Sequence, residues 1–89
     1  PPAPVPGPGA PEGCADLVEP LHRLATGAYA DPEAAEATAE EARRLADATD
    51  DNALSAVARR MSGLAAGPDV DPAALAAEWD QVRQICVLD

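Results

Sequence analysis

Two cysteines, one histidine, one tyrosine and one tryptophan carry nearly all the distinctive side-chain chemistry of this chain. Cys14 and Cys86 lie too far apart in sequence for a CxxC redox pair. With the single histidine they make at most three of the four ligands that a structural zinc site needs. A structural disulfide is therefore the reading adopted for them, and disulfides persist in oxidising compartments, so it brings an extracytoplasmic location with it, secreted or at the cell surface. His22 and Tyr29 are seven residues apart, a spacing that puts both on one face of a continuous helix. Both are competent iron ligands, with Tyr the weaker donor outside specialised haem sites. The plainer assignment makes His22 a solvated rim residue and Tyr29 a packing residue at a helix end. Trp79, in register with Leu75 and Val82, is expected at the centre of the core. The other role open to it is a partly exposed partner anchor, since Trp is enriched in binding hot spots.

The remaining candidates are weaker. Asp47, Asp50 and Asp51, or Asp69 and Asp71, invite a calcium reading, but neither group has the DxDxDG...E spacing of an EF-hand. Caps and solvated helix faces account for them, and no metal or other cofactor is expected. Catalysis has little to work with: no defensible Ser-His-Asp set, no Gly-rich phosphate loop and no His-rich metal motif. Carboxylates are plentiful, but a thin helical bundle offers little water-excluded space in which to tune them as acid and base. An enzyme is not expected.

The composition describes what must hold these residues. Of 89 residues, 22 are alanine, and there is no Phe, so the 47% hydrophobic fraction amounts to a thin core on strong helix formers. Sixteen acidic residues stand against six arginines and no lysine, a net charge of -10. Such a surface repels phosphate backbones and anionic headgroups, which argues against nucleic-acid binding. The bias to Ala, Pro, Gly, Arg and Asp without Lys is that of a GC-rich bacterial genome. No stretch approaches the roughly 20 apolar residues of a membrane span. The abrupt Pro-rich start reads as that of a mature or excised fragment, with any signal peptide, lipid anchor or membrane helix removed upstream.

Residues 1–11, PPAPVPGPGAP, read as a flexible Pro/Gly linker that cannot join a packed core, part polyproline II and interrupted at Gly7 and Gly9. Pro1 to Pro4 and Pro8 to Pro11 have PxxP spacing, which so Pro-dense a spacer produces by chance. Residues 12–89 read as a single helical domain with four helical patterns. The first, about Asp16 to Ala28, aligns Leu17, Leu21, Leu24 and Ala28, and Pro20 either opens it from Glu19 or kinks it. The second opens at Asp31-Pro32, a capping side chain followed by proline in the first turn, and runs to Ala48 along Ala35, Ala42, Leu45 and Ala46. Its outer face carries Glu40 and Arg44 as an i, i+4 pair. The third, capped by Asp50 or Asp51, carries Leu54, Val57, Ala58, Met61, Leu64 and Ala65 and stops at Gly67-Pro68. The fourth opens at Asp71-Pro72 and runs to about Val87, with Leu75, Trp79, Val82 and Cys86 on one face and Ile85 beside them. Short connections favour antiparallel neighbours. The fold class expected is all-α, a small up-down four-helix bundle closed by one disulfide, because that topology brings the start of the first helix and the end of the fourth to the same end.

The chain also resembles the small secreted haemophore-like helical domains of mycobacteria. The residues that carry the likeness are Cys14-Ala15-Asp16-Leu17, Ala28-Tyr29 followed by Asp31-Pro32, and Cys86 near the end. The resemblance implies a haem-like ligand held by Tyr29 and His22; the chain departs from those domains in lacking the aromatic residues that line their pocket. Two functions are therefore carried forward. The first is a non-catalytic extracytoplasmic interaction or accessory domain, tethered by the Pro-rich segment, whose partner is another protein at the cell surface. The alternative is a small-ligand carrier.

The cysteine assignment predicts that the purified chain takes up no alkylating agent until it is reduced and then takes up two equivalents, read by intact mass. Two thiols that alkylate without reduction, in protein isolated from an oxidising compartment, would contradict it.

Overall fold

A computed structural model describes residues 3–27, 31–66 and 70–88. These form four α-helices and, among the described residues, no strand: α1 (Cys14–Thr26), α2 (Pro32–Ala48), α3 (Asn52–Ala66) and α4 (Pro72–Ile85). Aspartates start the last three. The Asp31 carboxylate accepts the Ala34 N–H at 2.8 Å, Asp51 accepts that of Leu54 at 2.8 Å, and Asp71 accepts those of Ala73 and Ala74 at 3.0 and 3.2 Å. Each cap satisfies first-turn donors that have no partner within the helix, worth about 1 kcal/mol. Pro32 and Pro72 cost nothing in the first turn, where their missing N–H would have gone unpaired.

Helix α1 starts differently, and earlier than Asp16. It has no side-chain cap; the N–H groups of Cys14 and Ala15 instead donate to the Pro11 and Glu12 carbonyls at 3.1 and 3.3 Å. Pro20 lies inside the helix rather than at its start, with its ring buried. Proline is disfavoured there because it leaves the Asp16 carbonyl without its helical donor, and burial of the ring offsets part of that cost. Gly27 closes the helix in a left-handed conformation, φ 70°. Ala28, the Gly67-Pro68 stop and Asp69 lie outside the described residues.

Helix α4 also ends before the expected Val87. Cys86 is its C-cap, donating to the Val82 carbonyl at 2.8 Å, and Leu88 N–H reaches back to the Arg83 carbonyl at 2.9 Å. This Schellman pattern requires a left-handed residue between them, usually Gly. Here it is Val87, φ 54°, a β-branched side chain in a conformation that costs L-residues about 1–2 kcal/mol.

Helices α1 and α3 each touch all three others, whereas α2 and α4 lie on opposite flanks and do not meet. The shortest dimension of the molecule is 19 Å, about two helix diameters. The bundle thus has two layers and a thin interior, filled by Leu17, Leu21 and Leu24 of α1, Leu54, Val57 and Met61 of α3, and Leu75 and Val82 of α4. Helix α2 adds only small side chains: Ala35, Thr38, Ala39, Ala42 and Ala46. Leu45 and Leu64 pack at the edge. Thr38 and Ser62 are buried without an unpaired hydroxyl, because each donates to the carbonyl four residues back at 2.8 Å.

Three further expectations need correcting. Trp79 is not at the core centre; it is half-buried at the margin, because leucines and Met61 already fill the narrow space between the layers. Glu40 and Arg44 form no ion pair. The ion pairs among the described residues are Arg23–Glu19, Arg59–Asp47, Arg60–Glu78 at 2.8 Å and Arg83–Asp80 at 3.3 Å. The Pro-rich segment does join the core: Ala3 and Ala10 pack against it. A Pro-dense segment can lie on apolar surface because it carries few backbone donors to satisfy. Gly7, one of the few, donates to the Cys86 and Val87 carbonyls at 3.2 and 3.1 Å. The disulfide joins Cys14 to Cys86 with Cα atoms 5.7 Å apart, and both residues are fully buried.

Val87 is half-exposed, so replacing it sacrifices little packing. Val87→Gly is expected to raise stability by about 1 kcal/mol, a Tm increase of roughly 4–8 °C in a domain of this size. A lower Tm would show that Val87 contributes more through its side chain than its backbone costs.

Candidate functional site

The disulfide fixes the register of α1 against α4. Eight residues along from Cys14 stands His22, and seven back from Cys86 stands Trp79. The helices are antiparallel, so the two rings meet, with centroids 5.3 Å apart and planes inclined by 56°. That is a tilted arrangement of the kind aromatic pairs prefer, in which a ring edge meets a ring face. Both residues are half-buried. Beside Trp79 on α4, Glu78 is largely covered and accepts a hydrogen bond from Arg60 Nε of α3. The surface around the pair therefore combines an apolar indole, an imidazole able to donate or accept, and an ion pair held in place by two helices.

Two hollows open elsewhere. One, of about 500 Å³, lies where the turn before α1 faces the α2–α3 connection, lined by Glu12, Asp16, Leu45, Asp50 and Asp51 among others. Four of its side chains are carboxylates, and Asp51 is already committed to capping α3. The other, of about 530 Å³, is formed by Asp80, Arg83, Gln84, Val87 and Leu88 at the end of α4. His22 and Trp79 line neither. Among the described residues, no group of three or more His, Cys, Asp or Glu side chains is placed to hold a metal ion. Tyr29 lies outside the described residues, so the structure joins His22 to Trp79 and leaves the His22–Tyr29 pairing aside. No helix among the described residues is long and apolar enough to cross a membrane.

Compared with known proteins, the chain matches no protein-family model, no curated protein and no solved structure. The likeness to haemophore-like domains rests on the residues quoted for it.

Sequence reasoning named His22 and Trp79 separately and did not pair them. The signal was present: once Cys14 and Cys86 are joined across two antiparallel helices, residues whose numbers sum to about 100 face one another. A double-mutant cycle with His22→Ala and Trp79→Ala is expected to give a coupling of about 0.5–1.5 kcal/mol in urea unfolding. Additive single effects, within about 0.3 kcal/mol, would reduce the pair to incidental neighbours.

Proposed function

We propose that this is a non-catalytic interaction domain that works outside the cytoplasm, held near its partner through the Pro-rich segment, and that the partner is another protein recognised at the His22–Trp79 surface. The observation that carries the reading is the position of Trp79. The largest side chain of an aromatic-poor chain sits at the margin of the fold, half-buried and in tilted contact with an imidazole. A rigid aromatic body with a polar neighbour is the composition of a binding hot spot. The buried disulfide supports an oxidising compartment.

The alternative, a carrier for a haem-like ligand using Tyr29 and His22, has less support. A macrocycle needs an apolar slot, whereas the hollow by α1 is rimmed with carboxylates and the bundle is only 19 Å thick. Propionates would also meet a net charge of -10.

Haem added to the purified domain is expected to give no saturable Soret band near one-to-one stoichiometry. The domain, immobilised as bait for extracytoplasmic proteins, is expected to retain a partner that the folded Trp79→Ala variant loses. A saturable band abolished by His22→Ala would establish the carrier instead, and a partner held equally by the Trp79→Ala bait would move the interface away from this surface.

A further inference from the structure

The two cysteines stand at the two ends of the helical part of the chain, where side chains are usually exposed, yet both have no accessible surface. The chain that crosses this end of the bundle is the Pro-rich segment. It passes over the end of α4, where the Gly7 N–H is shared between the Cys86 and Val87 carbonyls. It then turns into α1, where the Cys14 N–H donates to the Pro11 carbonyl at 3.1 Å. Ala3 and Ala10 rest on the core on either side of that crossing.

The crossing is built around one residue. A Cβ added at Gly7 would stand 2.6 Å from the Val87 carbonyl oxygen and 3.0 Å from its Cγ1, so only glycine allows the approach. One of the two carbonyls that receive the Gly7 N–H belongs to the strained left-handed Val87. Strain of this kind persists where surrounding contacts over-determine it and is concentrated at switching segments. The hold is otherwise limited to the shared Gly7 N–H, the Cys14–Pro11 hydrogen bond and the half-buried Ala3, Pro4, Pro6, Ala10 and Pro11, with no fully buried side chain, the profile of a segment that opens locally at low cost.

We propose that residues 3–11 are a strap that gates the Cys14–Cys86 disulfide, keeping it inert to thiols when docked and opening it to exchange with a dithiol reductant when lifted. Exchange requires a thiolate to reach a sulfur. With the strap down, no thiolate can approach either one. With the strap lifted, a thiolate of the dithiol attacks one cysteine sulfur, the Cys14–Cys86 bond breaks, and the other cysteine leaves as thiolate. The second thiol of the dithiol then displaces the first cysteine. Two electrons and two protons pass to the protein, which becomes the free dithiol as the reductant closes to its own disulfide. A bond that supports the whole fold is thereby made conditional on the position of nine residues.

The test measures the rate at which dithiothreitol reduces the full chain, by quenching with an alkylating agent and counting modified cysteines by mass. Gly7→Ala is expected to speed reduction at least tenfold. Val57→Ala, which loosens the core from α3, serves as the stability control. Acceleration by Gly7→Ala beyond that of a control of equal Tm supports the strap. Equal rates at equal Tm, or no acceleration, would overturn it. The wild-type chain gives a second reading that needs no variant. Lifting a short strap exposes little surface, so its reduction rate should be nearly independent of urea below the unfolding transition. A rate that rises with urea as steeply as global unfolding would mean that the bond opens only when the whole fold does.

Discussion

The bond between Cys14 and Cys86 is the constraint on which the rest of this structure depends. It spans 72 residues, nearly the entire folded chain, and in the chain-entropy account a loop of that length stabilises by about 4 kcal/mol. The core it closes has no aromatic residue at its centre and takes one whole helix face from alanines and a threonine. A domain this small buries little more than half of its unfolded surface, and the cross-link is comparable with the entire stability expected of it. The same bond fixes α1 against α4. It thereby brings His22 to Trp79 and gathers the Pro-rich segment, the start of α1 and the end of α4 into one place.

Thinness has a second consequence. Close approach of α2 to α3 through small residues leaves a two-layered bundle whose interior accepts leucine and methionine but has no place for an indole. Trp79 is therefore displaced to the margin, where it packs against the core only in part. The feature that makes the fold marginal also leaves its largest side chain only partly covered.

Much of the architecture was legible because local chemistry and tertiary structure agree. The Asp-Pro openings of α2 and α4 and the Asp51 cap of α3 are rules of the first turn, and packing does not override them. The misreadings occur where packing does override local preference. Pro20 is compatible with a helix start or an interior position, and burial of its ring goes with the interior one in α1. Val87 carries no stop signal, because valine is a poor left-handed residue and only the surrounding hydrogen bonds hold it there. Residues 3–11 have the composition of a spacer, and composition is blind to a single glycine that fits against a carbonyl. Of the site residues, the disulfide pair followed from topology, while the contact of His22 with Trp79 needed the register that the disulfide imposes.

Urea unfolding of the oxidised chain against a Cys14→Ala, Cys86→Ala double variant measures the dependence of the fold on its bridge most directly. The account predicts a loss of about 4 kcal/mol, enough to leave the double variant largely unfolded in the absence of urea. A double variant that unfolds cooperatively at nearly the midpoint of the oxidised chain would show that the helices hold themselves together, and that the bond is an accessory to the fold rather than its support.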